Sequence, residues 1–294
     1  MSRVAYVNGR FLPLSAAMVS VEDRGFQFAD GVYEVIYLKD SRLIDAELHL
    51  ARLSRSLAAI GMAPPMSQAA LLCLMAELIR RNRLSDGLLY LQITRGAAPR
   101  EHAFPRPLPK PTVVMTLRRA PAFPKDLNAW AAAAITYPDQ RWARCDIKTV
   151  GLLPNVLAKQ AARERGAQEA ILIDANGMVT EGASSTVWIV DAAGRLCTRT
   201  LDHAVLPGCT REAVAALLAR QGIAWTERPF SLAEMQAARE VFLTSATSFV
   251  RPITAIDENP VGNGQVGELT RKVFDIFARH VAEEAAATPA GKAA

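Results

Sequence analysis

Lys148 stands in an otherwise apolar stretch, between Ile147 and the run Val150–Leu153. A lysine held in apolar surroundings has a lowered pKa and can attack an aldehyde. Glu181 closes a short extended run and is followed by Gly182-Ala183-Ser184-Ser185-Thr186, small residues that let a backbone approach a ligand closely. Two further clusters have the composition of a phosphate cup. Leu206-Pro207-Gly208-Cys209-Thr210-Arg211 opens a helix, whose N-terminus presents N–H groups and a positive dipole end. Thr244-Ser245-Ala246-Thr247-Ser248 places small hydroxyl residues after a strand. Each feature taken alone also reads as ordinary structure: an exposed lysine between strand and helix, a polar loop, a helix cap, a turn.

The elements that would carry these residues form an α+β pattern. Val4–Val7 and Arg10–Leu14 flank Asn8-Gly9, a two-residue hairpin turn. Val32–Leu38 and Arg42–Ile44 make a second hairpin across Lys39-Asp40-Ser41. Leu50, Leu53, Leu57 and Ile60 recur at helical spacing from Glu47, and Gly61 ends that helix. Ser67 caps a second helix running to about Arg81, and Leu88–Thr94 and Thr112–Leu117 read as strands. Between those strands lies a long proline-rich loop, Gly96–Pro111, with Arg100 and His102; loops of that length are often functional. Pro121 and Pro124 mark Arg119–Lys125 as an interdomain linker.

The second half is strand-rich. Trp130–Thr136, Ala170–Asp174, Thr186–Val190, Arg195–Thr198, Val241–Thr244 and Ile253–Ile256 are predicted strands. Helices are predicted from Pro154 to about Arg165, from about Thr210 to Gln221, and over Glu268–His280. Gly262-Asn263-Gly264-Gln265-Val266-Gly267 matches a dinucleotide-binding glycine pattern, but the chain is nearly finished there and no further strand follows, so it reads as a turn.

Composition bounds the rest. The 294 residues are 50% hydrophobic and 21% charged, enough for a large core and two domains. The net charge of +5 is scattered rather than gathered into a stripe, which argues against nucleic acid and suits anionic small molecules. Cys73, Cys145, Cys197 and Cys209 and the four histidines show no metal-ligand spacing, so no metal is expected. No apolar run approaches the ~20 residues of a membrane span. Reduced thiols in a cytoplasm are the simplest expectation.

Eight motifs in register carry a resemblance. They are EDRGFQFADGVYEV (Glu22–Val35), HLARL (His49–Leu53), QITRGAAPREHAFP (Gln92–Pro105), RWARCDIK (Arg141–Lys148), LAKQ (Leu157–Gln160), VTEGASS (Val179–Ser185), GCTR (Gly208–Arg211) and TSATS (Thr244–Ser248). From about Tyr6 to Phe277 the chain resembles the D-amino-acid aminotransferase branch of the fold-type IV pyridoxal-phosphate enzymes. The resemblance implies a small N-terminal α/β domain over 1–120, a larger β-barrel-like α/β domain over 121–282 that binds the cofactor, and a disordered tail over 283–294. It implies pyridoxal 5′-phosphate, carried on Lys148 as an internal aldimine, with Lys148 as general base at the substrate Cα. Glu181 would pair with the pyridine nitrogen and keep it protonated. Arg52 would hold the phosphate, with Cys209, Thr210, Ala246 and Thr247 completing that cup and Leu206 packed on the ring.

Substrate choice is implied to rest on Tyr33, Arg100, His102, Ser184 and Ser185. Arg100-Glu101-His102 matches the pair that traps the substrate carboxylate in this branch, and Tyr33 the accompanying tyrosine. The family contributes that loop from the neighbouring subunit, so a homodimer acting on amino and 2-oxo acids is implied. The reaction expected is ping-pong transamination of the type D-alanine plus 2-oxoglutarate giving pyruvate plus D-glutamate. An (R)-selective amine transaminase, an L-branched-chain aminotransferase and aminodeoxychorismate lyase are the alternatives on the same cofactor, and a catalytically silent binding protein the alternative outside it. Thr186 departs from the Asn more usual there, which puts local hydrogen bonding in question, and Cys209 replaces an aliphatic residue.

Overall fold

The computed structural model describes residues 3–120 and 122–287. The chain divides into two compact units. The first comprises the chain up to Ala122, the short segment Ile147–Gly151, and the chain from Val281 onward; the second comprises Phe123–Asp146 and Leu152–His280.

The first unit is a six-stranded antiparallel sheet with helices. In chain order its elements are β1 (Val4–Val7), β2 (Arg10–Pro13), helix α1 (Arg24–Phe28), β3 (Gly31–Lys39), β4 (Arg42–Leu43), helices α2 (Ala46–Ala59) and α3 (Gln68–Asn82), β5 (Gly87–Thr94) and β6 (Thr112–Arg118). The sheet order is β2-β1-β6-β5-β3-β4. Asn8 and Gly9 both have positive φ, as the two-residue turn between β1 and β2 requires. Leu50, Leu53 and Leu57 of α2 are buried against Leu71, Met75 and Leu78 of α3 and against Ile36, Leu38, Leu89 and Leu91 of the sheet. The alternation of β3 sends Val32, Glu34 and Ile36 into this core and leaves Tyr33 and Val35 on the opposite face.

β4 pairs only with Leu38 and Lys39, so the first half of β3 would have an open edge. The segment Lys148–Val150 covers it. Tyr33 N donates to Lys148 O at 3.0 Å, Val150 N donates to Gly31 O at 3.1 Å, and Thr149 bridges Val32 in antiparallel sense.

The second unit holds helix α4 (Leu127–Trp130), β7 (Ala132–Pro138), α5 (Leu153–Glu164), β8 (Glu169–Ile173), β9 (Val179–Gly182), β10 (Thr186–Val190), β11 (Leu196–Thr198), α6 (Cys209–Arg220), β12 (Trp225–Glu227), α7 (Leu232–Gln236), β13 (Glu240–Ser245), β14 (Phe249–Ile256), β15 (Asn259–Pro260) and the start of α8 (Glu268–Ala286). Its mixed sheet runs β12-β11-β10-β13-β14-β7-β8-β9, with β15 beside β14. Val187, Ile189, Val241, Leu243 and Ile253 fill one core with Phe230 and Met235.

The α+β class holds. Local differences have identifiable causes. Trp130 belongs to α4, not to a strand, because Asp126 accepts from Asn128 N at 2.9 Å and caps a helical turn. α1 carries too few residues for a periodic pattern and is set by its Asp23 cap. The expected disorder from Glu283 is corrected over 283–286, where α8 continues. Its Glu-Glu-Ala-Ala composition is strongly helix-forming, and Glu284 accepts from Asp45 N at 2.7 Å. The rest of that tail, 288–294, lies outside the described residues, as does Pro121 of the linker.

Candidate functional site

Lys148 is held by its backbone. Besides the pairing with β3, its N–H donates to Ser56 Oγ of α2 at 3.3 Å, and the Thr149 hydroxyl donates to Ala29 O at 3.3 Å. The side chain is half-buried, and Nζ lies 4.3 Å from the centroid of the Tyr33 ring. Tyr33 packs in turn on Tyr90, ring centroids 5.7 Å apart. Tyr90 donates its hydroxyl to Gln92 Oε1 at 2.6 Å, and burial, then the neighbouring Tyr33, push its phenol up to about 12.

On the other face of β3, Glu34 is 0% exposed. It accepts from Arg52 Nε at 2.8 Å and Nη2 at 2.6 Å and contacts His49 Nδ1 at 2.7 Å. Burial alone would raise this carboxyl, but the Arg52 charge and the hydrogen bonds from Arg52 and His49 hold it at about 2. The Arg52 guanidinium is thereby held in one orientation by a buried counter-charge.

The second unit presents a carboxylate in a comparable frame. Glu181 is 6% exposed on β9. Its Oε1 accepts from Arg141 Nη1, and its Oε2 accepts from Leu206 N at 3.1 Å. Arg141 also donates to Asp139 through Nε at 2.9 Å and Nη2 at 2.7 Å, and to Ala204 O at 3.0 Å. Thr180 closes the network with a 2.7 Å hydrogen bond to Asp139. Burial opposes the Arg141 charge, yet the Asp139 hydrogen bonds and the Glu181 and Asp139 charges more than offset it and raise that pKa.

α6 begins at Cys209 and Thr210, both buried, with Gly208 at the cap position and no capping side chain. A Cβ on Gly208 would sit 2.9 Å from Thr186 Oγ1, so glycine and Thr186 are fitted to one another. In the turn between β13 and β14, Ser245 Oγ accepts from Ser248 N at 2.9 Å and from Thr247 N at 3.3 Å, shaping Ala246-Thr247 into a tight bend. Trp188 Nε1 anchors Thr244 at 3.0 Å. A helix N-terminus without a capping side chain, a glycine where a Cβ would clash, and an anchored carboxylate fit the cofactor that the resemblance implies.

Ser184 and Ser185 differ from a simple substrate-facing pair. Both hydroxyls donate to Glu169 Oε2, at 3.0 and 2.9 Å. Glu169 is buried and also pairs with Lys159 Nζ at 3.1 Å. Arg100 and His102 gather on Phe28 of α1, with the Arg100 Cζ 5.0 Å and the His102 ring 5.3 Å from its centroid.

A family model described as amino-transferase class IV matches residues 31–256. The chain is a class-IV aminotransferase. This aminotransferase is 40% identical over 281 residues to a D-alanine aminotransferase of Bacillus licheniformis, covering 96% of this chain and 98% of the relative. A D-alanine aminotransferase of Staphylococcus epidermidis is 38% identical over 276 residues, covering 94% and 97%. Among solved structures, a branched-chain aminotransferase from Thermoproteus uzoniensis with norvaline superposes with a TM-score of 0.85 at 26% identity, covering 97% and 96%. A branched-chain aminotransferase of Escherichia coli gives 0.83 at 24% identity, covering 93% and 92%, and so shares the fold.

Glu34, Asp139, Arg141 and Glu169 were not among the residues singled out from the sequence. One signal existed: a glutamate amid the apolar residues of Val32–Leu38 must be buried with a cation or face away from the core.

Proposed function

We propose that this aminotransferase transfers the amino group of D-amino acids to 2-oxo acids, D-alanine and 2-oxoglutarate giving pyruvate and D-glutamate, with pyridoxal 5′-phosphate as cofactor. One observation carries the reading: Lys148 and Tyr33, expected as amine carrier and carboxylate ligand, lie together, with Nζ 4.3 Å from the ring and the two backbones hydrogen-bonded. When bound, the pyridine ring supplies an acceptor for the electron pair left at Cα. Lys148 would carry the cofactor and, once freed from it, would act as the general base that moves the substrate Cα proton. Glu181, anchored by Arg141 and Leu206 N, would accept a hydrogen bond from the protonated pyridine nitrogen. Arg52 would hold the phosphate, backbone groups at Cys209, Thr210, Ala246 and Thr247 would complete its cup, and Leu206 would pack on the ring. Ser184 and Ser185 line the substrate side through their backbone, because their hydroxyls are engaged by Glu169.

Tyr33, Arg100 and His102 bind the substrate carboxylate, the last two on the partner subunit of a homodimer. An apolar stripe on α5 supports a second copy as partner: Leu153, Val156 and Leu157 are 68%, 58% and 49% exposed at helical spacing. A cytoplasmic setting, where thiols stay reduced, suits the four cysteines, none of which forms a disulfide among the described residues; no described helix is long and apolar enough to cross a membrane.

The test is a half-reaction on the purified yellow protein. D-alanine, D-glutamate, L-alanine, L-leucine and (R)-1-phenylethylamine are added separately and loss of the visible band is followed. Conversion by the D-amino acids, with the L-amino acids inert, is the expected result. Conversion by L-leucine or by the amine instead would keep Lys148 and the cofactor but overturn the substrate class.

A further inference from the structure

The first unit buries a second charged cluster: Arg24, Asp30 and Arg95. The Arg24 and Arg95 side chains are 3% and 4% exposed. Asp30 accepts from Arg24 Nε at 2.8 Å and from Arg95 Nε and Nη2 at 2.7 and 3.0 Å. Burial would raise its carboxyl, but hydrogen bonds from both arginines hold it below the usual range. One carboxylate for two buried cations leaves a positive excess that must find other acceptors.

Those acceptors are backbone carbonyls. Arg95 Nη2 donates to Ile60 O at 2.7 Å. Arg24 donates Nη1 to Glu101 O at 2.5 Å and Nη2 to His102 O at 3.2 Å. A single planar fork thus grips two consecutive carbonyls of the Arg100-Glu101-His102 motif, a geometry that lysine cannot supply. The root of the loop is tied to the same segment, with Arg24 N donating to Gly96 O at 2.9 Å and Ala98 N to Glu22 O at 3.2 Å. Phe28, one helical turn from Arg24, touches the Arg100 guanidinium and the His102 ring. A Cβ on Gly25 would meet Thr94 Cγ2 at 2.2 Å, so α1 can approach the root of the loop only with glycine there.

We propose that Arg24 is a positioning residue for substrate recognition: by fixing the Glu101 and His102 carbonyls it presents Arg100 and His102, resting on Phe28, as a pre-formed carboxylate receptor. This rests on the reading that Arg100 and His102 bind the substrate carboxylate. Ordering of the loop is then met on folding rather than on binding. Loss of the clamp shows as weaker substrate capture rather than slower chemistry.

The experiment uses the holoenzyme as wild type, Arg24→Gln, Arg24→Lys, Phe28→Leu and Arg100→Ala. Asp30 keeps Arg95 in the Arg24 variants, so the cluster becomes a one-to-one ion pair. Decay of the visible band is measured against D-alanine concentration, and hydrogen exchange of the peptide 99–104 is measured without substrate. Arg24→Gln is expected to raise the half-saturating D-alanine concentration about tenfold or more, with the limiting rate within roughly threefold of wild type. Exchange of the loop peptide should quicken, and Arg24→Lys should fall between. An unchanged half-saturation, or unchanged loop exchange, overturns the proposal. So does a loss confined to limiting rate and cofactor content. Phe28→Leu leaves every clamp hydrogen bond in place and decides the matter if Arg24→Gln does not fold: it should raise half-saturation by roughly threefold or more, and no rise overturns the proposal. Arg100→Ala separates the two levels. If it leaves half-saturation unchanged, the carboxylate-trap reading itself fails; if it raises it while Arg24→Gln does not, only the positioning role fails.

Discussion

Glu34→Gln isolates the charge that balances Arg52. The wild-type carboxylate is wholly buried and meets Arg52 twice, at 2.6 and 2.8 Å. Removing one partner of such a pair costs about 3–5 kcal/mol, because the surviving charge stays buried and uncompensated. Gln keeps the shape and one acceptor, so the lower end, about 3 kcal/mol, applies. In a chain of 294 residues that lowers Tm by about 5 °C in the cofactor-free protein. The loss has a pH signature. Glu34 is held at about 2 against an ordinary 4.5, so its contribution is complete above 4.5 and is lost as pH falls towards 2. Wild type and variant should therefore differ most near neutrality and converge on acidification. If Arg52 holds phosphate as proposed, inorganic phosphate would supply the negative charge the variant lacks, so added phosphate should raise Tm more in Glu34→Gln than in wild type. Thermal unfolding of the cofactor-free proteins, with and without phosphate, reads all three effects. A drop under about 2 °C, or one independent of pH, would refute the charge-compensation argument. Equal phosphate shifts in both proteins would remove Arg52 from the phosphate site.

Lys148→Ala should abolish transamination and the visible band together, and near-normal turnover would end the assignment. Arg141→Gln breaks the buried link between Glu181 and Asp139 and should cost about 3 kcal/mol in denaturant unfolding; a loss below about 1 kcal/mol would show that Asp139 and Glu181 do not depend on it. Tyr90, raised to about 12 from 10.0, favours folding below 10 and loses that contribution as pH rises to 12. Tyr90→Phe should accordingly delete a late-titrating step of the phenolate absorbance, and loss of an early step would contradict its burial. If the proposed homodimer uses the apolar stripe of α5, Val156→Glu should sediment as a monomer where wild type sediments as a dimer; dimers of both would place the interface elsewhere, and a monomeric wild type would overturn the homodimer.

The sequence made some of this legible and hid the rest for physical reasons. Leu50, Leu53 and Leu57 repeat locally, so α2 could be read, as could the Asn8-Gly9 turn. Lys148 could be noticed from its apolar neighbours, but its attachment to β3 joins residues more than a hundred positions apart and leaves no local pattern. The partners of Glu34, Glu169 and Asp30, and the Glu181 partner of Arg141, lie nearer in sequence, 6 to 65 positions away, but at spacings that no helix or strand period marks. A buried charge announces that it needs a partner, and only the fold decides which. α1 was missed because five residues show no periodicity, although Asp23 carried the cap signal.

The five residues Ile147–Gly151 return to a sheet whose own strands end at Arg118. As the chain leaves the ribosome, β3 therefore keeps a bare edge over Gly31–Tyr33 until residue 150 has emerged. The contacts of Asp45 with Glu284 and of Arg42 with the Ala287 carbonyl come later still. The N-terminal sheet cannot be finished during its own synthesis, and non-local closure of this kind is slow. A nascent chain stalled near residue 125 should thus be far more protease-sensitive within β3 than one released at full length. A single cut between Ala122 and Phe123 in the finished protein should free neither piece intact, since the lysine strand would still be paired to β3.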